Sequence, residues 1–213
     1  MLIPIPEELS LEHAALVEPL AVALHGIDIG EAGPTDTCVV IGAGPIGVMT
    51  ALALRARGVD QVVVIEKNER RRDRMQSLGV ETFGLEDVHV RVFEALGGNL
   101  PDVVFECAGN PAAPQLAIEL VRSRGIVVLL GVLEEPVEIS QLVLIIKEAQ
   151  LRSSFAYRRD SFDEAIDLLE KGKVAADRLI TSTVPLERAQ EMFDRLEDPA
   201  TEEIKVLLRP AGP

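Results

Sequence analysis

At 213 residues the chain is near the upper end of single-domain size, and 47% hydrophobic residues is ordinary for a globular protein. The 35 acidic and 21 basic residues give a formal net charge of −14, which argues against nucleic acid as a partner. Cys38 and Cys107 form no C-x-x-C pair, which excludes a zinc knuckle and argues against a disulfide framework. No apolar run approaches the roughly 20 residues of a membrane span, and the N-terminus lacks signal-peptide features, so we expect a cytoplasmic protein.

The elements predicted in chain order begin with an apolar helix over 11–26, with Ser10 as its N-cap, and a turn-rich link over 30–34. Beyond this link, β-branched runs alternate with amphipathic stretches, which is typical of βαβ units. We predict strands over 37–42, 61–66, 80–83, 102–107, 125–131 and 151–156. We predict the crossover helices over 45–57, 70–78, 89–96 and 112–122.

Several of these strands are apolar almost throughout, as expected for strands that helices cover on both faces. With right-handed crossovers, the predicted fold is α/β, a Rossmann-type doubly wound parallel sheet with helices on both faces. After the sheet, Asp160 is a candidate N-cap for a helix over 162–171. A helix over 185–196 and a short strand over 204–208 complete the prediction.

A glycine-rich loop, Gly42-Ala43-Gly44-Pro45-Ile46-Gly47, directly follows the first predicted strand and opens a helix. In such a loop Gly42 permits the tight turn, Gly44 lets the backbone approach a pyrophosphate, and Gly47 lets the helix pack close to the strand. Pro45 suits the first helical turn, whose free N–H groups face the phosphates. The motif alone is weak, because a glycine turn in an unrelated α/β protein has the same pattern.

Glu66 gives the loop its context. It ends the second predicted strand 19 residues after Gly47, where an acidic side chain receives the adenosine ribose hydroxyls. A carboxylate about 4 Å from a 2′-phosphate would oppose it by about 4 kcal/mol at an effective dielectric of about 20. The predicted cofactor is therefore NAD. Lys67 and the arginines of the run 70–74 would soften the repulsion, so NADP stays as the less favoured alternative.

A family resemblance covers nearly the whole chain. It rests on four stretches, namely 14–25 (AALVEPLAVALH), 39–47 (VVIGAGPIG), 102–111 (DVVFECAGNP) and 179–187, which begins Leu-Ile-Thr and ends Pro-Leu-Glu. The sequence resembles the cofactor-binding half of the medium-chain, zinc-dependent alcohol and polyol dehydrogenases, such as threonine and sorbitol dehydrogenase. The first and third stretches are specific to that family, whereas the glycine loop is shared by many others.

The resemblance implies further cofactor contacts at the matching positions. Arg71 would pack against the adenine, Cys107 and Ala108 would line the cleft, and Gly131 and Val132 would lie near the nicotinamide. With the loop and Glu66, the candidate cofactor-binding residues are Gly42, Gly44, Pro45, Ile46, Gly47, Glu66, Arg71, Cys107, Ala108, Gly131 and Val132.

Zinc enters only through the resemblance. In the polyol and threonine dehydrogenase branches, the Glu before Pro-Leu stands beside the catalytic zinc, and here that residue is Glu18; an ordinary solvated carboxylate is the competing interpretation. The resemblance places the main zinc ligands in an N-terminal domain that would precede Met1. His25 shares a helical face with Glu18, but a catalytic zinc site needs three protein ligands. We therefore expect zinc only in the intact family enzyme, and no catalytic residue in this chain.

The resemblance also implies the domain organisation and partners. It divides the chain into a helical lead-in (1–33), an NAD-binding Rossmann domain (34–173) and a C-terminal segment (174–213) that in the family packs on the catalytic domain. The first helix and this segment should then expose apolar surface, which predicts a homo-oligomer or a missing-domain partner. The family often pairs through the sheet edge around 141–156, where 142–146 is apolar, although burial under the chain's own helix fits equally.

Two functions follow from these observations. The first is the NAD-binding portion of a zinc-dependent alcohol or polyol dehydrogenase, in which the intact enzyme transfers hydride between alcohol and nicotinamide. Alone, the chain would bind NAD weakly and turn nothing over. The alternative is a stand-alone NAD(H)-binding module or pseudoenzyme subunit. A methyltransferase is disfavoured because the first strand has no acidic residue. Ala156, where polyol dehydrogenases commonly carry Arg, weakens the case for a polyol substrate.

Overall fold

The computed structural model describes residues 3–198 and 201–210. In this part of the chain a parallel sheet has the strand order β3-β2-β1-β4-β5-β6. Its strands are β1 (Cys38–Ile41), β2 (Val62–Ile65), β3 (Glu81–Phe83), β4 (Val103–Glu106), β5 (Ile126–Leu129) and β6 (Gln150–Ser153). The order reverses between β1 and β4, which confirms the predicted doubly wound Rossmann-type fold and places its switch point there.

Helices lie on both faces of this sheet, as predicted. The described helices are α1 (Leu11–Ala14), α2 (Val17–Gly30), α3 (Pro45–Ala56), α4 (Glu69–Ser77), α5 (Val88–Ala95), α6 (Ala113–Leu120), α7 (Gln141–Lys147), α8 (Arg159–Glu170) and α9 (Ala189–Glu197), of which α9 belongs to the C-terminal segment. The four predicted crossover helices, α3 to α6, agree with the prediction to within two residues at each end. None of the described helices is long and apolar enough to cross a bilayer.

Two hydrophobic clusters fill the two faces of the sheet. Along β1, Cys38 and Val40 face the cluster formed with α2, α3 and α8, whereas Val39 and Ile41 face the cluster formed with α5 and α6. This alternation follows from the period-two geometry of a strand. Because both faces are covered, a strand with no polar residue is the favoured sequence, which is why the apolar runs predicted the sheet so well.

The first predicted helix is wrong in its bounds and in its expected exposure. Ser10 does cap a helix, since its hydroxyl accepts the His13 amide at 3.1 Å, but that helix is the four-residue α1. A continuous helix would set the ring of Pro19 against the carbonyl of Ala15, so α2 begins afresh at Val17. The face of α2 expected to be bare is buried against α3 and α8 within the chain itself, and Leu16, Leu20 and Leu24 are 0% exposed.

Residues 142–146 belong to a helix that was not predicted. Ser140 caps α7 by accepting the Val143 amide, and Val143 and Leu144 pack on the core formed with α5 and α6. The remaining apolar side chains of this helix point outward, with exposed fractions of 65% for Leu142, 63% for Ile145 and 70% for Ile146. A run of consecutive apolar residues carries no helical period, so the pattern could not separate strand from helix.

The prediction of Asp160 as the N-cap of α8 is also wrong. The cap position belongs to Arg158, which makes no side-chain capping bond, and Asp160 lies in the first turn of the helix. There its carboxylate accepts the Ser161 amide at 3.1 Å. An acidic residue in the first turn stabilises a helix through the macrodipole, so the same residue type fits both positions.

The C-terminal segment forms a separate, two-stranded parallel sheet. β7 (Ile180–Pro185), which was not predicted, pairs with β8 (Lys205–Arg209), and α9 lies between them in sequence. Short 3₁₀ turns precede β7 and α9. The division at residues 33 and 173 stays a prediction, and residues 1, 2, 199, 200 and 211–213 of those outer segments lie outside the described residues.

Candidate functional site

A cleft opens at the carboxyl edge of the sheet, where β1, β2 and β4 end. The predicted cofactor residues that line it are Gly42, Gly44, Glu66, Arg71, Cys107 and Ala108. Lys67, which the sequence analysis gave as offsetting the charge of Glu66, lines the cleft as well. So do Leu85 and Asn110, which the sequence did not single out for contact. The switch point of an open α/β sheet is where such folds bind ligands. The structure therefore brings together residues that lie more than 60 positions apart in sequence.

The glycine loop has the geometry that its spacing implies. Gly42 has φ +100°, and a β-carbon there would lie 3.0 Å from the Cα of Ala108. A β-carbon on Gly47 would overlap the carbonyl oxygen of Gly42, so only glycine permits α3 to approach the strand this closely. Gly44, by contrast, faces open space, with nothing within 4 Å of an added β-carbon. The loop thus leaves room for a ligand at the position where the backbone should meet phosphate.

The start of α3 is available to an anion. Gly44 is its N-cap and makes no side-chain capping bond, and Pro45 is its first residue. The uncapped first-turn amides and the positive end of the helix dipole favour a negatively charged group at this point. Pro45 is exposed and Ile46 half-buried, but neither lines the cleft described above.

Glu66 connects β2 to the glycine loop. The residue is only 6% exposed, yet it lines the cleft. Its Oε2 accepts the Ala43 amide at 2.7 Å, and its Oε1 accepts the Asn68 amide at 2.8 Å. Each carboxylate oxygen offers two acceptor positions, so both still have capacity for hydroxyl donors from the cleft. Glu66 therefore has a second role that the spacing did not predict, because it also fixes the loop in place.

Arg71 provides a polar group without a protein partner. It lies in the first turns of α4, and its Nε is buried and has no hydrogen-bond partner among the described residues. A buried unpaired donor costs free energy, so a ligand that accepts from it or stacks on its guanidinium would be stabilised. Its neighbours are engaged elsewhere: Arg70 pairs with Glu202 at 2.8 Å, and Arg72 donates to the carbonyl of Lys67.

Cys107 is a packing residue of the cleft wall. Its Sγ lies 3.8 Å from Oγ1 of Thr50, on α3. Burial raises the pKa of the Cys107 thiol to about 12, so the thiol stays protonated at neutral pH. A protonated thiol is neither a nucleophile nor a metal ligand. This residue can shape the cleft but has no covalent chemistry in this state.

Gly131 and Val132 lie beside the cleft rather than in its wall. Their loop follows β5 and abuts the loop that follows β4, since a β-carbon on Gly109 would lie 2.9 Å from the carbonyl oxygen of Val132. Val132 is 80% exposed. Sequence reasoning missed Glu106, which is 2% exposed and lies beneath both loops.

The zinc candidate is exposed and isolated. Glu18 lies in the first turn of α2, and its side chain is exposed. Among the described residues, no group of three or more His, Cys, Asp or Glu is placed to hold a metal ion. His13 and His89, which showed no partner pattern in sequence, lie 2.6 Å from Asp177 and 3.6 Å from Glu119. These residues do not fit a catalytic zinc on their own.

Comparison with known proteins identifies the family. Residues 45–171, more than half of the chain, match the family described as zinc-binding dehydrogenase. The chain belongs to this family. It is 33% identical over 214 residues to the (R,R)-butanediol dehydrogenase of Bacillus subtilis, covering 99% of this chain and 61% of that protein. It is 32% identical over 196 residues to the sorbitol dehydrogenase of Macaca fascicularis, covering 89% of this chain and 54% of that protein.

Solved structures of several dehydrogenases share the fold. The crystal structure of the Bacillus subtilis butanediol dehydrogenase matches with a TM-score of 0.90 at 32% identity, over 99% of this chain and 61% of that one. An Escherichia coli protein described as a short-chain alcohol dehydrogenase, complexed with NADH, matches with a TM-score of 0.87 at 27% identity, over 97% and 61%. A Sinorhizobium meliloti protein described as a zinc-binding dehydrogenase, bound to NADP, matches with a TM-score of 0.84 at 30% identity, over 98% and 62%.

The chain spans about three fifths of the length of these relatives. The part that it matches is their C-terminal, cofactor-binding half, as the resemblance predicted. The two bound cofactors, NADH and NADP, are both nicotinamide dinucleotides, so the family alone does not choose between the phosphorylated and unphosphorylated forms.

Proposed function

We propose that this chain binds NAD(H) across the carboxyl edge of its sheet. The observation that carries the proposal is the single cleft that joins the open glycine loop, the carboxylate of Glu66 and the unpaired Nε of Arg71. The loop and the start of α3 would hold the pyrophosphate, and Glu66 would accept the adenosine ribose hydroxyls. Arg71 would pack on the adenine, while Cys107 and Ala108 would support the middle of the dinucleotide.

The preference for NAD over NADP rests on the charges that face the cleft. Glu66 lies in its wall and opposes a 2′-phosphate. Of the basic run, only Lys67 and Arg71 line the cleft, since Arg70 and Arg72 are held by other groups. Two cations therefore face one carboxylate in the cleft, and the preference for NAD rests on the position of Glu66 directly after β2, where the ribose hydroxyls are expected. Pro45, Ile46, Gly131 and Val132 remain proposed contacts at the rim, reached from loops that adjoin the cleft.

Fluorescence titration with NADH and NADPH tests this proposal. We expect saturable NADH binding and at least about tenfold weaker NADPH binding, which corresponds to about 1.4 kcal/mol of net repulsion between the Glu66 carboxylate and the 2′-phosphate. Absence of NADH binding at millimolar concentration would contradict the cofactor site. Equal binding of the two cofactors would leave the site intact and show the assignment of Glu66 as the selector to be wrong.

The reaction proposed for the family enzyme that contains this half is hydride transfer between an alcohol and the nicotinamide. Relatives named butanediol and sorbitol dehydrogenase support a small alcohol with neighbouring hydroxyl groups as the substrate class. Glu18, exposed at the start of α2, would stand beside a zinc ion whose main ligands lie elsewhere. Zinc would polarise the substrate oxygen when bound.

An NAD(H)-binding module without turnover is the second candidate. Both candidates leave the described residues without a group of three metal ligands, so a turnover assay on this chain tests an expectation that they share. We expect the 213-residue chain, supplied with zinc, NAD and 2,3-butanediol, to produce no NADH absorbance. Zinc-dependent NADH formation by this chain would contradict that expectation and would require a metal site within it.

Self-association is proposed through the free edge of the sheet. β6 is the terminal strand, and beside it α7 exposes Leu142, Ile145 and Ile146. An unpaired strand edge next to exposed apolar side chains favours pairing with a second copy. Sedimentation velocity should show a dimer that Ile145→Asp converts to monomer. A wild-type chain that remains monomeric at about 100 μM would contradict the proposed self-association.

A further inference from the structure

Glu106 is a buried carboxylate at the centre of the sheet's carboxyl edge. It is the last residue of β4, and it pairs with Ile41 on β1 and with Leu129 on β5. Only 2% of the residue is exposed, and it does not line the cleft. A charged group in such a place costs free energy unless other groups hold it, so its partners show what it is there to do.

The first oxygen of this carboxylate closes the loop after β4. Oε1 accepts the amide of Ala108 at 2.8 Å and that of Gly109 at 2.9 Å. Gly109 has φ +59°, a left-handed conformation that suits glycine. The loop that carries Cys107 and Ala108 into the cleft is thus folded around the Glu106 side chain.

The second oxygen faces the loop after β5. A β-carbon built on Gly131 would lie 2.5 Å from Oε2 of Glu106, and closer still to the amide nitrogen of Gly109. The Gly131 amide donates to the main-chain carbonyl of Glu106 at 2.8 Å. The Glu106 side chain therefore lies between the β4 loop, whose amides it accepts, and the β5 loop, which is bonded to the same residue through the main chain.

The electrostatics agree with this geometry. Burial raises the pKa of Glu106, and the amides of Gly109, Ala108 and Gly131 oppose that rise. The groups that stabilise its charge are main-chain amides of the two loops. A buried carboxylate held in this way gains little stability for the fold, and its effect falls on the loops themselves.

We propose that Glu106 is a positioning residue for the nicotinamide half of the cofactor, because it sets the spacing of the β4 and β5 loops. The inference rests on the proposed function, which places Gly131 and Val132 near the nicotinamide and the glycine loop near the pyrophosphate. Glu106 touches neither half. It acts through Ala108, Gly109 and Gly131.

The test compares two ligands on the full 213-residue chain by calorimetry. ADP-ribose contains the adenosine and the pyrophosphate, whereas NADH adds the nicotinamide. In Glu106→Gln the amide oxygen can still accept from Ala108 and Gly109, but the amide nitrogen presents a donor to the Gly131 loop. We expect NADH affinity to fall about tenfold, while ADP-ribose affinity stays within about twofold.

Asp102→Asn is the matched control, at the other end of the same strand. Oδ2 of Asp102 accepts the Thr37 amide at 2.8 Å, and Arg122 pairs with Oδ1 at 2.6 Å, both far from the cleft. This variant should lower the midpoint of thermal unfolding and leave the ratio of NADH to ADP-ribose affinity unchanged. If Glu106 only stabilises the fold, Glu106→Gln should likewise lower the midpoint of unfolding and leave the ratio of NADH to ADP-ribose affinity unchanged.

Gly131→Ala provides a second variant if Glu106→Gln does not fold. It pushes the two loops apart while Glu106 remains, and it should produce the same selective loss of NADH. Equal losses for both ligands, or an unchanged NADH affinity, would overturn the role of Glu106. Failure of the wild-type chain to bind either ligand would instead overturn the proposed function, so the two failures are distinguishable.

Discussion

Glu66 directly follows β2 and Glu106 ends β4, the two strands that flank β1, and the comparison between them separates contact from positioning. Both are buried, with exposed fractions of 6% and 2%, and both accept main-chain amides of neighbouring loops. Glu66 also lines the cleft, whereas Glu106 lies behind it. The same side chain, in the same kind of place, therefore either meets a ligand or holds the loops that meet it. The two carboxylates have the same chemistry, and they differ in whether they reach the cleft.

The largest effect is expected in the loop that Glu66 holds. Gly47→Ala places a β-carbon on the carbonyl oxygen of Gly42, and neither backbone can yield. We expect a loss of about 3 kcal/mol in the free energy of unfolding, measured by urea denaturation. Gly44→Ala is the control, because its β-carbon enters open space, and its stability should change little. Equal stability of the two variants would show that the loop is not packed as described.

The next effect sharpens the contrast between the glutamates. Glu66→Gln removes a charged acceptor for the ribose and weakens the link to the Ala43 amide. We expect both NADH and ADP-ribose to bind about 100-fold less tightly, since both ligands carry the adenosine ribose. NADPH should lose less, because the repulsion of its 2′-phosphate is relieved. Calorimetry with the three ligands decides, and a loss confined to NADH would erase the distinction from Glu106.

A smaller loss of cofactor affinity is expected from a change at the adenine end of the proposed site. Arg71→Ala removes the guanidinium that would pack on the adenine, and we expect about tenfold weaker binding of ADP-ribose and NADH alike. Arg70→Ala is the matched control on the same helix, since Arg70 pairs with Glu202 and does not line the cleft. Fluorescence titration measures both variants. A larger effect at Arg70 would move the adenine site along α4.

The smallest effect is a pH dependence of stability with opposite signs at the two ends of β4. Burial raises the pKa of Asp102, but hydrogen bonds from Thr37 and Arg122 outweigh it, so the net shift is downward. The stability that the Asp102 carboxylate contributes to the fold is therefore present above its ordinary pKa. It is lost as the pH falls through the pKa of Asp102 in the folded state. The net shift of Glu106 is upward, because burial dominates. The stability that the Glu106 side chain contributes to the fold is therefore present below its ordinary pKa. It is lost as the pH rises through the pKa of Glu106 in the folded state.

Urea denaturation between pH 3 and 7, a range chosen to span both titrations, tests these signs. The stability advantage of wild type over Asp102→Asn should grow with pH by about 1 kcal/mol. The stability advantage of wild type over Glu106→Gln should decrease by about 1 kcal/mol as the pH rises. Parallel slopes for the two variants would contradict the opposite environments of these carboxylates.

The sequence predicted most of the sheet and the Glu66 side of the site. Strands covered on both faces are apolar runs, and the glycine loop fixes the spacing to Glu66, so both signals are local. Glu106 gave no such signal, because its partners Gly109 and Gly131 come together only through parallel pairing of β4 with β5. The hydrogen bond from the Ala43 amide to Glu66 was missed for a similar reason, because it depends on the parallel pairing of β1 with β2.

The errors at the two ends of the chain have a different cause. The family resemblance led us to expect exposed apolar residues on α2 and on the C-terminal segment. That expectation is wrong for α2, whereas the C-terminal segment does expose Leu186 (50%) and Phe193 (60%). Burial of α2 depends on α8, a contact that no periodicity reveals. β7 was missed because it pairs with β8 in a parallel pair closed by α9. Such pairing is non-local, and its sequence pattern is weak.

The packing of α2 on α8 has a consequence for the order in which the chain becomes structured during translation. About 130 residues separate the end of α2 at Gly30 from the start of α8 at Arg159. At ~5–20 residues per second, the ribosome needs roughly ten seconds to make that interval. During this time Leu20 and Leu24 lack one of their permanent neighbours. Until α8 is made, the apolar face of α2 lacks one of the surfaces that bury it in the folded chain, so this helix is open to non-native contacts during synthesis.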